Sequence, residues 1–521
     1  MGHVVDWSTR HVLYPQGTSL RALALGERDP RAYWNYLRQV QAISAARASL
    51  DRGLPVQPLR LRRNHADWSV SLGAAGTAAN MYPAKYSFNV NATPDCTNDF
   101  VVFAINANAT AGQANIAAFN NLYSGTTTTS CPPNTTATVL WAYRAGAGTS
   151  RIRTSPIISL DGTKVAFVDG NNPAVFHVLT PTAGQGTVTA PATPTGAQIV
   201  NVTLTTGADS NSSPFVDYYQ DIAYVGTNNG RIFKITGVFK GTPTLAGAPW
   251  PLVAGATTLT EPVIDFTNGN IFVGSANGNL YGFTSAGAAI ASSPVTIGNG
   301  TANGGIAGAP VEDVVNGRIY VATGNNGTNA VVAQTSTSSF ATVRTAAIGT
   351  ANVVPIRSGT LNDAYFTVPT NMIGTTSEWF FYVCGVATGG PTNPVLYRIG
   401  FTGTPPLMNT TANATSVALS ANNGESCSPL TEFRNGVDRI FLGLLTSAQV
   451  EFFDISTTTT PTRGGTGNVA PVPEAGGTSG IIVDNVSPIA QASSIYFTTQ
   501  ANSANCGGTR CAVKLTQGGL Q

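Results

Sequence analysis

Five carboxylates recur at one frame position: Asp217, Asp265, Asp313, Glu432 and Asp484. Each closes a short apolar run, as in Ser213-Pro-Phe-Val-Asp217 and Ala309-Pro-Val-Glu-Asp313. Carboxylate oxygens are hard donors, so several of them gathered at one channel rim would suit a cation or a sugar. The same placement also suits a local task. An Asp at the end of a strand caps the turn that follows, and a position repeated from unit to unit ordinarily serves the unit. Histidine adds little: only His3, His11, His65 and His177 exist, and no two have zinc-site spacing. No Gly-x-Ser-x-Gly and no phosphate-binding glycine loop occurs. No metal is expected, and the catalytic residues of any reaction stay unknown. Acid–base work would fall on a carboxylate pair or a tyrosine that the sequence does not single out.

The six cysteines are Cys96, Cys131, Cys384, Cys427, Cys506 and Cys511. None forms a Cys-x-x-Cys pair, so an even number in an exported-looking chain reads as disulfides. Cys506 and Cys511 flank a Gly-Gly turn and would close a small loop. Cys96 with Cys131, and Cys384 with Cys427, would bridge within or between neighbouring units. Spacing alone does not fix the connectivity.

The elements that must position these residues are short strands. In Glu261-Pro-Val-Ile-Asp-Phe-Thr-Asn-Gly-Asn-Ile-Phe-Val-Gly-Ser-Ala-Asn-Gly-Asn-Leu-Tyr-Gly-Phe283, three strands alternate with two turns. Thr267-Asn-Gly269 and Ala276-Asn-Gly278 supply the residues that accept positive φ, and Asn-Gly between apolar runs marks a hairpin. The prolines at 156, 214, 262 and 310 give a period of roughly 50 residues, in the range of propellers and solenoids. A fifth copy begins at Ser428-Pro429 and leads to Arg439-Ile-Phe-Leu442, and degenerate copies begin near Met81, Ala364 and Gly480, which brings the count to eight. A fourth strand carries Trp68, Trp141 or Trp250. The last copy runs out after three strands, so the strand near Trp68 is expected to complete it and close the ring, removing open sheet edges.

These residues, above all Ile271-Phe-Val-Gly-Ser-Ala-Asn-Gly-Asn-Leu-Tyr-Gly-Phe283, resemble the repeats of quinoprotein-like (PQQ-like) β-propellers. The resemblance covers roughly residues 67–517. It implies an all-β propeller of four-stranded blades, eight of them, or seven if two degenerate copies merge. It also implies that the repeated tryptophans dock between blades, where a stacking platform for carbohydrate is the other use of such a ring. Quinoprotein dehydrogenases of this group commonly carry an adjacent cysteine pair over the cofactor. Here no two cysteines adjoin and no Cys-x-x-Cys-His is present, so a PQQ-dependent dehydrogenase is disfavoured and no cofactor is expected.

Residues 1–66 differ from the rest. They hold ten arginines, no lysine and four acids. They read as an extension before a propeller of residues 67–521. Asp29-Pro30 opens a helix expected over about 30–50, with Tyr33, Leu37, Val40, Ile43 and Leu50 at helical spacing. The extension would pack on the ring, act as a removable segment, dock on another subunit, or bind an anionic surface through its arginines. Met1-Gly2-His3 reads as a start that replaces a removed leader. Loops such as 107–133, 181–199, 330–361 and 405–422 read as aperiodic inserts.

Charged residues make up only 10% of the chain and the net charge is +2, so no nucleic-acid partner is implied. No apolar run is long enough to span a membrane. Composition and cysteines together point outside the cytoplasm, to a secreted, periplasmic or cell-surface protein of bacterial style. The function read from this is a non-catalytic binding or assembly scaffold that acts through loops or channel on a protein or a polysaccharide. The alternatives are a secreted polysaccharide lyase or hydrolase, and a self-assembling surface structure that uses residues 1–66.

Overall fold

The computed structural model describes residues 2–13, 29, 31, 65–89, 94–123, 136–205, 207–367, 379–403, 405–410, 415–435, 437–456, 460–464, 472–484 and 494–516. Apart from Arg31, the expected helix over 30–50 lies outside them. Eight antiparallel sheets follow one another along the chain as the blades of a propeller. The first strands of blades 1 and 2, 6 and 7, 7 and 8, and 8 and 1 touch one another, as inner strands around an axis do. These inner strands are Ala84–Ser87, Ile157–Ile158, Phe215–Asp217, Val263–Ile264, Val311–Asp313, Thr360–Leu361, Thr431–Asn435 and Ile482–Asp484.

Local sequence explains most of each blade. In blade 4, Ile271–Gly274 pairs with Asn279–Phe283, with Val273 opposite Tyr281. The turn between them needs Gly278, whose φ is +83° and whose missing Cβ would fall 2.4 Å from the Gly298 carbonyl oxygen. Blades pack through branched and aromatic side chains; Phe103, Phe119 and Phe167 are wholly or almost wholly buried. A hydroxyl three residues before the inner strand ties each of several blades to its second strand. The Ser212, Thr260 and Ser428 side chains accept from the amides of Gly226 (3.0 Å), Gly274 (3.0 Å) and Gly443 (2.8 Å).

Blade 8 is built from both ends of the chain. His65–Ser71 pairs with Cys511–Thr516, and Trp68 lies opposite Lys514. The seam with blade 1 is sealed by buried charge. Lys85 meets Asp484 at 2.5 Å and Lys514 meets Asp67 at 2.6 Å, with none of the four side chains more than 2% exposed. Lys85 also donates to Tyr123, whose hydroxyl donates to Asp99. Two disulfides staple later blades: Cys384–Cys427 joins blade 6 to the linker before blade 7, and Cys506–Cys511 closes a loop inside blade 8. Cys131 lies outside the described residues.

Three sequence expectations need correction. Ala364–Thr367 is a single helical turn rather than the inner strand of blade 6, which is Thr360–Leu361. There Tyr365 turns its hydroxyl onto Asp313 at 2.7 Å, so tertiary bonding overrides a strand-like run. The stretch 330–361, read as an insert, contains most of Asn329–Ser336 and all of Arg344–Thr350, the outer strands of blade 5. Its Ser- and Thr-rich composition hid them. The third correction concerns Glu432.

Candidate binding site

The channel along the axis is filled by the chain's own N-terminal arm. His3–Val5 adds antiparallel to the inner strand of blade 1, with Val5 opposite Lys85. After a turn at Trp7–Arg10, Val12–Leu13 adds parallel to the inner strand of blade 5, with Val12 opposite Glu312. Blades 1 and 5 face each other across an eight-bladed ring, so the arm crosses the whole bore. Inner strands run from the channel mouth inward. The arm therefore climbs along blade 1, turns near the mouth and descends along blade 5.

The turn explains itself locally. Asp6 is its N-cap: its carboxylate accepts from the Ser8 amide at 2.9 Å, and the Thr9 hydroxyl accepts from the Asp6 amide at 3.3 Å. Trp7 is 1% exposed, packs edge-on against Phe215, and donates its indole N–H to the Pro214 carbonyl at 3.0 Å. Arg31 then latches the arm. It is 2% exposed, bridges Asp6 and Asp29 at 2.8 Å each, and lies over the Tyr218 ring. Arg10 reaches Glu432 at 3.9 Å. Burial lowers its pKa, and the Glu432 and Asp438 charges oppose that shift.

The carboxylates singled out in the sequence lie at the opposite end of the channel from the mouth. Asp217 accepts from the amides of Tyr219 and Gln220 at 2.9 Å. Asp265 accepts from the Thr267 amide at 2.7 Å and from Asn268. Asp313 accepts from the amides of Val315 and Asn316 and from the Tyr365 hydroxyl. Asp484 holds Lys85 at the seam. Glu432 does not share their position. Strand pairing sets Thr431 opposite Phe441 as Val311 is set opposite Tyr320, which makes Glu432 the counterpart of Glu312, not of Asp313. In blade 7 the proline comes one place early, and a shift of one residue turns a side chain to the other face. Burial raises Glu312, and the Asp265 and Asp313 charges add to this. Burial, with Asp438 beside it, raises Glu432 as well. Each of the five has partners of its own: turn amides for Asp217, Asp265 and Asp313, Lys85 for Asp484 and Arg10 for Glu432.

The mouth is different. Two residues before each inner strand stand Tyr82, Ser155, Ser213, Glu261, Ala309, Ser358, Pro429 and Gly480, of which Tyr82, Glu261, Ala309, Ser358 and Pro429 surround one small space with Trp7 and His11 of the arm. They form part of a hydrogen-bonded collar. Ser155 accepts from the Tyr82 amide at 3.0 Å, Ser213 accepts from the Ser155 amide at 2.8 Å, and Ser213 donates to Glu261 at 3.3 Å. Most collar residues are small; Tyr82 and Glu261 are not. Burial pushes the Glu261 carboxyl up to about 7, against the Ser213 hydrogen bond and the Arg357 charge. The same burial lowers Arg357 to about 10. Outside the collar a cavity of about 250 Å³ opens among Asn80, Asn211, Thr258, Thr260, Glu261 and Asn303. A separate space of about 10 Å³ lies among Trp7 and His11 of the arm, Asn80, Tyr82, Glu261 and Ser358. His11 packs edge-on against Tyr82, and burial lowers its imidazole to about 4, so it is neutral.

Sequence reasoning passed over this site. Its one legible signal was Glu261 in a series of Ser-Pro and Ala-Pro dipeptides. Among the other singled-out residues, Trp68 is 4% exposed and bonded to the Leu122 carbonyl, and Trp141 is 2% exposed. Trp250 lies beside Tyr224. Their observed contacts are packing. His177 is buried in blade 2 against Phe167 and Asp169, away from the axis. Among the described residues no cluster of three or more His, Cys, Asp or Glu could hold a metal, and no helix is long and apolar enough to cross a membrane.

No known protein family is matched by the chain. No curated protein matches it either. Among solved structures, its fold is similar to BamB from Moraxella catarrhalis, at 13% identity and a TM-score of 0.44 over 87% of this chain and 99% of that one. It is also similar to the dihydro-heme d1 dehydrogenase NirN, at 12% identity and 0.42 over 82% and 77%. A third is the computationally designed Ika8 protein, at 12% identity and 0.46 over 87% and 100%.

Proposed function

We propose that the protein is a non-catalytic extracytoplasmic propeller that serves as a binding or assembly scaffold for a polysaccharide or a protein. The observation that carries this is the filled channel. The arm satisfies the inner edges of blades 1 and 5 and buries Trp7 and Asp6 in the bore. What remains for a partner is the mouth and the outer loops, where propellers usually carry recognition. The Cys384–Cys427 and Cys506–Cys511 bridges support an oxidising compartment.

The test is incubation of the full chain with a panel of neutral and acidic polysaccharides, followed by co-sedimentation and by assay for new reducing or unsaturated ends. Retention of a polysaccharide without product supports the scaffold. Release of product would replace it with a lyase or hydrolase.

A further inference from the structure

We propose that the outer edge of blade 2, the strand Ile199–Thr203, is a pairing surface for a second copy of this chain. The proposal rests on the scaffold reading for its purpose and names the partner and the place.

The outermost strand of a blade carries a row of backbone groups with no neighbour on one side. Such a row pairs with another chain unless something blunts it. The other blades are each blunted. A loop runs along the outer strand of blade 1: the Ala142 amide donates to the Gln185 carbonyl and the Arg144 amide to the Ala192 carbonyl, at 2.9 Å each. In blades 3, 4 and 7 the outer strands are only two residues long, and those of blade 7 hold Arg463 and Pro473. In blade 5, Arg344–Thr350 lies against blade 6, where Arg344 donates to the Met408 carbonyl and Thr350 to the Ala387 carbonyl, at 2.7 Å each. In blade 6, Arg463 covers the carbonyls of Ala418 and Leu419. In blade 8, His65–Ser71 carries Asp67 at an irregularity in its pairing.

Blade 2 has none of these devices among the described residues. Ile199–Thr203 is five residues long and pairs in unbroken register with Val175–Leu179. It reads Ile-Val-Asn-Val-Thr, without proline or charge, and its branched residues favour an extended strand. Val200 is 39% exposed, and Asn201 and Thr203 are exposed. The bonds at either end show which way the backbone points. The Leu204 amide donates to the Ala174 carbonyl at 2.9 Å, and the Thr180 amide donates to the Gln198 carbonyl at 2.7 Å. Ladder bonds in an antiparallel pair alternate from residue to residue. Val200 and Val202 therefore bond into the blade, while Ile199, Asn201 and Thr203 turn their backbone groups outward. The Ile199 amide is held by the Thr195 carbonyl at 3.2 Å. The Ile199 carbonyl, and the amide and carbonyl of Asn201 and of Thr203, have no partner among the described residues.

The strand is complementary to itself. An antiparallel two-fold join at Asn201 sets Asn201 of each copy opposite the other, so that each amide donates to the other's carbonyl. The same join sets the Thr203 amide opposite the Ile199 carbonyl of the second copy. On one face Val200 then stands opposite Val202, in the closer kind of cross-strand pair. Charge permits the join. No Asp, Glu, Lys or Arg occurs between Asp169 and Asp209, so two copies meet without like charges opposed, and a charged peptide finds nothing there to pair with. The join is short against the about 800 Å² per partner of a standard interface, so the dimer is a micromolar one that exchanges with monomer.

The experiment is sedimentation velocity of the full chain from low to high micromolar concentration, with amide hydrogen exchange at both ends of the series. A dimer should grow with concentration. As it forms, the Asn201 and Thr203 amides should slow about tenfold, while those of Val200 and Val202, already in the ladder, should barely change. Val200→Lys should weaken the dimer about tenfold or more, as a lysine on an edge strand does. Thr203→Pro removes an amide that faces outward and should weaken it about as much. Val200 is open to solvent, so its lysine variant should keep the parent's melting temperature, which separates lost pairing from lost fold. The proposal is overturned if the chain stays monomeric throughout, if it dimerises while Asn201 and Thr203 exchange unchanged, or if Val200→Lys dimerises like the parent. A ladder of multimers would also overturn it, because a two-fold join closes on itself. A monomer that still retains polysaccharide loses this edge and keeps the scaffold; a dimer that releases product keeps the edge and loses the scaffold.

Discussion

The two ends of the channel treat their carboxyl groups in opposite ways. At the inner end, Asp217, Asp265 and Asp313 repeat from blade to blade, and each accepts from the amides of its own turn, Asp313 also from the Tyr365 hydroxyl. At the mouth, Glu261 has no counterpart of its kind. Its neighbours in the collar are mostly small, and it sits beside polar atoms without partners. A residue that repeats with the blade serves the blade, since every blade poses the same turn. A residue that breaks the repeat is free to serve something that exists once, such as an axial ligand or the arm.

This contrast can be broken most forcefully through the arm, which touches both ends. Trp7→Ala should cost about 3–5 kcal/mol, the usual price of emptying a buried tryptophan site. Chemical denaturation measures it, and a loss below about 1 kcal/mol would show that the arm is dispensable to the ring. Asp484→Asn comes next. It strips Lys85 of its buried ionic partner, and breaking such a pair costs about 3–5 kcal/mol at most. The seam should then open before the rest of the ring, as faster hydrogen exchange in His65–Ser71 and Ala84–Ser87.

The third prediction concerns pH. Glu261 titrates near 7 when folded, against an ordinary value of 4.5. Between those values the unfolded chain has released a proton that the folded chain keeps. Stability from this group is therefore complete below about pH 4.5, falls as pH rises, and is gone above about 7. The slope is at most about 1.4 kcal/mol per pH unit. Glu451 and Glu474, which burial also raises to about 7, contribute in the same sense. Melting temperatures should fall from about pH 5 to about pH 7.5, and Glu261→Gln should flatten part of that fall. An unchanged slope in the variant would place Glu261 in water rather than in the collar.

The smallest effects belong to the repeated caps. Asp217→Asn and Asp265→Asn should each cost about 1 kcal/mol, the range for one cap, and should leave polysaccharide retention untouched. A variant in this series that weakened binding would erase the distinction between the two ends.

Much of the blade architecture was legible because its causes are local. Asn277-Gly278 makes its hairpin wherever apolar runs flank it, and alternation within five residues decides which side chains point inward. Closure by the strand at Trp68 followed from counting strands. The limits appear where local chemistry misleads. Pro429 suggested a frame for Glu432 that the pairing of Thr431 with Phe441 shifts by one, and the polar run around Ser336–Ser339 concealed the edge of blade 5.

The sequence by itself therefore determined an all-β repeat protein and its turns, because each of those depends on neighbours a few residues apart, while the choice between eight blades and seven came from the sheets themselves. The tertiary structure alone decided that residues 2–13 fill the bore and that Glu261 and Tyr82 share one mouth. Trp7 finds its acceptor 207 residues away, in Pro214. Tyr82 and Glu261 meet only because a ring brings its first and fourth blades to a common axis, and no spacing along the chain records that meeting.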